Sequence, residues 1–246
     1  MSATEILDGA FTLYRRHFLT FILTGLLAML PPMLAIVIAA GPVPSNAAQC
    51  VGYLVTMAAL IHEISQAALG GKPRIGDGFR VAGARFFPLL LTSVIYVALL
   101  IAGLLALLVP GFCLYCMMFA HAPVVVLEKR INFLGRSRAL AKEQWGKVSG
   151  VMLLAAIIGI LPSLALHIGA MGILHVGLMA AMKSPGVELA SALLAVLLAP
   201  FSYGVLTLLY YDQRIRKDGL DVQLAVDAMS GAGQPALRGV ESSTAR

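Results

Sequence analysis

Charge is scarce in this sequence. Only 12% of the 246 residues are Asp, Glu, Lys or Arg, about half the share found in soluble domains. Long polar stretches are missing as well. No segment is left to build a soluble domain with a basic face, so the formal net charge of +6 does not point to a nucleic-acid partner. No glycine-rich phosphate loop, Ser–His–Asp set or pair of carboxylates can be placed in one aqueous pocket. The chain is therefore read as no enzyme, with no catalytic residues, no cofactor and no metal site. Cysteine is down to three, Cys50, Cys113 and Cys116. Two of them form "CLYC", but their apolar surroundings favour small buried hydrophobes over a redox pair.

What fills the chain instead is hydrocarbon. Hydrophobic residues make up 59% and mean hydropathy is +0.89. Six apolar runs stand out, at Phe18–Ala40, Ala47–Leu69, Phe87–Val109, Phe112–Leu127, Val148–Ile173 and Val187–Tyr211. Most reach the ~20 residues a helix needs to cross the bilayer core. They are too rich in Leu, Ala and Gly for alternating barrel strands. Helices are the remaining way to satisfy every backbone group in lipid. The expected fold is therefore all-α, a polytopic membrane protein of six transmembrane helices in three hairpins.

Basic residues orient it. With a cytoplasmic N-terminus, seventeen of the eighteen Lys and Arg fall inside and only Lys183 outside. "RRHFL" (15–19) resembles a twin-arginine export signal. The run that follows is long for such a signal, carries Pro31–Pro32 and precedes five more spans, so it is read as a retained helix.

Each hairpin is expected to be preceded by a short cytoplasmic interfacial helix. The first opens with a capping box at Ser2 and Glu5. The second carries Ile75, Phe79, Ala82 and Phe86 on one face, and the third Leu134, Ala141, Trp145 and Val148. A gapless match of "RRHFLTFILTGLLAMLPP" (15–32) with "GKVSGVMLLAAIIGILPS" (146–163) suggests a repeat. Domains are drawn as a transmembrane domain over 1–229 and a disordered cytoplasmic tail over 230–246, rich in Gly, Ser and Ala.

Two sets of polar residues are candidates. His62, Glu63 and Gln66 lie within the second span, where a carboxylate is expensive and is a functional hypothesis by default. Glu128 and Asp212 interrupt otherwise basic cytoplasmic stops. An ion-pair network is expected in which they meet Arg136, Arg138, Arg214 or Arg216 across the inner face, because the guanidinium fork holds a carboxylate bidentately. Tyr210 and Tyr211 fit the headgroup belt. His121, His167 and His175 are scattered and read as structural, and Pro31, Pro123, Pro162 and Pro200 as prolines that membrane helices tolerate.

"ATEILDGAFTLYRRHF", "PVVVLE" with "RSRALAKEQW", and "YYDQRIRKDGLD" together resemble a family of six-helix bacterial and archaeal membrane proteins. That family includes the membrane domain of some glycerophosphoryl diester phosphodiesterases. The resemblance covers about residues 3–224 and implies the fold. The soluble catalytic barrel of those enzymes has no counterpart here, so their activity is not carried over. The chain is read as an integral protein of a bacterial or archaeal cytoplasmic membrane with both termini cytoplasmic. Its expected role is scaffold or partner of other envelope proteins or of lipids, anionic ones above all. Transport of a small solute, ion or lipid by way of Glu63 and kinked helices is the alternative.

The threading predicts that single cysteines replacing Ser45 and Ser184, in a cysteine-free background, react with an impermeant thiol reagent from outside. Cysteines at Gly76 and Ser137 should not. External labelling at Ser137 contradicts the topology.

Overall fold

A computed structural model describes residues 2–38, 42–142, 144–175, 177 and 184–219. Among them there are helices and no strands. Six helices are long and apolar enough to cross a membrane, so the chain is an all-α, multi-pass membrane protein. The chain falls into two compact units, Met1–Tyr210 and Tyr211–Arg246. The tail over 230–246 and Lys183 lie outside the described residues.

In the first unit, α1 (Ala3–Arg16) begins on the capping box. The Ser2 hydroxyl accepts from the Glu5 amide at 3.2 Å, and the Ser2 amide donates to the Glu5 carboxylate at 2.9 Å. α2 (Phe18–Val37) and α3 (Pro42–Ala68) form the first hairpin. α3 lies deepest. Ala58, Ala59, Leu60, Ile61 and Ile64 are buried, because α2 and α4 pack along α3 and α6 adds to its cover. Phe21, Leu60, Ile64 and Ala67 make a core to which Leu13, Tyr14, Ala199 and Tyr203 are packed.

α4 (Ile75–Ala106) departs from the expected pattern. The second basic segment is not a separate interfacial helix; it is the opening turns of α4. Thirty-two residues span about 48 Å, well beyond the ~30 Å hydrocarbon core, so one helix is long enough to hold both the basic foot with Arg80 and Arg85 and the apolar span. α4 turns into α5 (Leu108–Met117) through Leu107 alone, in extended conformation. The turn closes because Gly103 and Gly111 meet backbone to backbone. A Cβ on Gly103 would come within 3.0 Å of the Gly111 Cα.

The fourth span is broken. α5 ends at Met117 and α6 (His121–Leu127) begins after a turn at 118–120. Pro123 is the reason. It has no amide hydrogen to donate, and it is tolerated only in the first turn of a helix, which is where the break leaves it. In hydrocarbon the freed backbone groups need partners. Ser137 of α7 (Phe133–Lys142) supplies them. Its hydroxyl donates to the Met117 carbonyl at 2.8 Å and accepts from the Ala120 amide at 3.1 Å. His121 Nδ1 adds a hydrogen bond to the Met118 carbonyl at 3.2 Å. α7 therefore does more than lie on an interface. Phe133, Ser137, Leu140 and Ala141 are buried, and α7 packs on both halves of the broken span.

α8 (Trp145–Leu174) differs from the rest. It is apolar all round, and only 11% of its spanning window is buried, the lowest share of the six. α9 (Pro185–Asp218) is the sixth spanning helix. Within the first unit it meets α1 where the Tyr14 hydroxyl donates to the Leu197 carbonyl at 3.1 Å.

Because Ser137 is fully buried, a thiol there reports burial and not sidedness. Exposed Gly135 is the position to label instead. A cysteine replacing it should react only after the membrane is permeabilised. Reaction in intact cells contradicts a cytoplasmic α7.

Candidate functional site

Glu63 sits on α3, fully buried. The Thr24 hydroxyl of α2 lies 2.9 Å from its Oε1 and 3.0 Å from its Oε2. One proton is shared between two acceptors. On the other side the carboxylate packs against Gly78 near the start of α4, and a Cβ at position 78 would collide with Oε1. Gly78 is thus glycine for space: it lets α4 approach a carboxyl that α2 holds from across α3. Among the described residues no cation pairs with Glu63, and no group of three His, Cys, Asp or Glu is placed to hold a metal ion.

His62 and Gln66 do not join it. They stand one turn apart and bond to each other, Nε2 to Nε2, at 3.1 Å. Consecutive helical residues point about 100° apart, so 62 and 63 address different neighbours. The Gln66 side-chain oxygen is buried with no partner, beside a polar notch also lined by Gly71, Lys72, Arg74 and Asp77. Spacing alone suggested one polar site; the structure divides it into a closed carboxyl pocket and a separate pair near the inner notch.

The second candidate set also divides. Glu128 caps α6 at its C-terminal end, where Lys129 with φ 60° turns the chain away. Its carboxylate receives the Arg136 fork, Nη2 at 2.9 Å and Nε at 3.0 and 3.1 Å. The Tyr210 hydroxyl donates to Oε1 at 2.8 Å. Exposed Arg130 reaches to 3.8 Å from the rim. Arg138 is exposed and in no ion pair among the described residues. In the second unit, Asp212 is 3.4 Å from Arg216 and accepts from Gln213 at 3.2 Å, while Arg214 lies 3.5 Å from Asp218. These contacts run within one helix, one turn apart or less.

Sequence reasoning missed Thr24, Gly78, Ser137 and the role of Tyr210, which is fully buried and bonds Glu128 where a headgroup belt was expected. Hydroxyls and glycines in apolar runs carry no signal until a partner helix is placed beside them. The three cysteines are free thiols. His167 is satisfied by the Ser163 carbonyl at 2.7 Å.

No family model matches the chain, and no curated protein or solved structure shows significant similarity to it.

Two substitutions test the carboxyl pocket. Thr24→Val removes a hydroxyl from a buried carboxyl and should cost about 1–3 kcal/mol of stability, whereas Thr24→Ser should stay near wild type. Gly78→Ala should cost ~1–3 kcal/mol through overpacking. Reversible unfolding in mixed micelles measures both. A neutral Gly78→Ala contradicts the close approach.

Proposed function

We propose that the protein is a non-catalytic component of a bacterial or archaeal cytoplasmic membrane, with both termini cytoplasmic. In this reading it is a partner of anionic lipids and of other envelope proteins, acting through its basic inner face. Glu63 carries the reading. A carboxylate serving transport needs water or an exchanging cation beside it; this one is closed in by Thr24 and Gly78 and lines none of the cavities described. It works as a buttress between three helices. What faces outward near the expected inner surface is basic: Lys72, Arg74, Arg80, Arg130, Arg138 and Lys142 are all exposed. Each such charge attracts an anionic leaflet by about 1 kcal/mol.

Transport is the second reading, and one observation favours it: Glu63 is a buried carboxyl with no cation partner among the described residues. Purification in mild detergent followed by reconstitution separates the two. Lipid mass spectrometry should find anionic lipid enriched over the host membrane, and replacing Lys72, Arg74 and Arg80 by Gln should lower that enrichment. Vesicles holding the protein should conduct protons and monovalent cations no faster than empty ones. A flux abolished by Glu63→Gln would overturn the scaffold reading in favour of transport.

A further inference from the structure

A cavity of about 610 Å³ lies between α4, α5, α8 and α9 in the first unit. Its walls run from Tyr96 to Leu104 on α4 and from Met152 to Ile160 on α8. Eight residues of helix make this about 12 Å long. The volume falls within the ~300–1,000 Å³ of small-molecule sites, which are mostly apolar with a few polar groups. A smaller cavity of about 240 Å³ adjoins it, and Gly159, Ser202 and Tyr203 line both.

The polar groups on this wall are unusual for hydrocarbon. Tyr96, Tyr115, Ser202 and Tyr203 all line it, and none of their hydroxyls finds a protein partner among the described residues. His121 lines it too, stacked on Tyr96 with ring centroids 4.2 Å apart and planes at 8°. The His121 Nδ1 is committed to the Met118 carbonyl, so Nδ1 carries a proton and Nε2 remains to accept. Phe112 adds a further ring. Hydroxyls left unsatisfied in hydrocarbon are costly, so a plain acyl chain is a poor occupant. A phospholipid headgroup fits no better, because no Lys, Arg, Asp or Glu lines the cavity among the described residues. One wall is α8, the least buried spanning helix, so the bilayer has sideways access.

We propose that this cavity binds an uncharged, ring-bearing apolar molecule with a hydrogen-bonding oxygen, of the phenol or quinone type, which enters from the bilayer. The ring lies among Tyr96, Phe112, Tyr115 and His121. Its oxygen accepts from the tyrosine and serine hydroxyls, and a hydroxyl form donates to His121 Nε2.

Photolabelling tests this. The full-length protein in detergent is irradiated with an azido-quinone carrying a short prenyl tail, and labelled peptides are mapped by mass spectrometry. Saturable label should fall on the peptides holding Tyr96, Tyr115 and Ser202–Tyr203. Unlabelled short-tail quinone should compete and hexadecane should not. Gly159→Trp should abolish saturable labelling; a Cβ at Gly159 meets nothing within 4 Å, so the new side chain has room to fill the cavity. Tyr96→Phe and Tyr203→Phe keep the rings and should each weaken apparent affinity roughly two- to ten-fold. Label elsewhere, equal competition by hexadecane, or labelling unchanged in folded Gly159→Trp overturns the proposal. If Gly159→Trp does not fold, unchanged affinity in both Phe variants overturns it. Enrichment of anionic lipid is read separately, because no cation lines this cavity, so the scaffold reading and this site fail independently.

Discussion

A carboxylate that leaves water must find its compensation inside the protein, and Glu128 shows how much structure that requirement can organise. It ends α6, the second half of the broken fourth span. The Arg136 fork comes from α7 and the Tyr210 hydroxyl from α9, all within 3.1 Å. α7 is fixed at that point by its arginine, and the very next residue, Ser137, reaches the backbone groups freed by the break at 118–120. The ion pair and the repair of the broken helix are therefore one arrangement. A broken span is tolerable in lipid only where something re-satisfies it, and the Arg136–Glu128 pair sits beside the residue of α7 that does so. Removing one partner of such a buried pair costs about 3–5 kcal/mol.

Glu63 meets the same requirement by a different route. It has a hydroxyl in place of a guanidinium and relies on close helix approach, with Gly78 supplying the space. Glu63 lies on α3 and Glu128 ends α6, in the two spans with the largest buried shares. α8 carries no carboxylate. It is apolar on every side and mostly uncovered, and the largest cavity described lies along it. Stability and openness are thus unevenly distributed: polar anchors tie one part of the bundle, and the loosely covered helix borders the space where a ligand fits.

The fold was legible in the sequence because its signals are local. Apolar run length set the six spans, and Ser2 with Glu5 gave the first cap. The long helix α4 was misdivided because the basic, amphipathic turns at 75–86 look the same whether or not they are continuous with a span. Pro123 was visible, yet whether a proline kinks a helix or opens a new one depends on Ser137, fourteen residues away. Glu128 with Arg136 could be guessed from charge scarcity, since an acid among basic stops needs an explanation. Asp212 raised the same question, but its described partners are Gln213 and, one turn on, Arg216. Tyr210, Thr24 and Gly78 were beyond reach, because a tyrosine, threonine or glycine in an apolar run is ordinary until a distant helix gives it a partner. The cavity is a property of helix placement alone.

The most direct measurement of the Glu128 account is a double-mutant cycle between Glu128 and Arg136, read as unfolding free energy in mixed micelles. Arg136→Ala alone leaves a buried anion short of its charge and should be strongly destabilising. In a Glu128→Ala background the same substitution should cost less than about 1 kcal/mol, so the coupling energy should reach at least ~1.5 kcal/mol, within the range of residues that share one network. Equal costs in the two backgrounds would mean that the pair is a bystander, and that α7 is held against the broken span by packing alone.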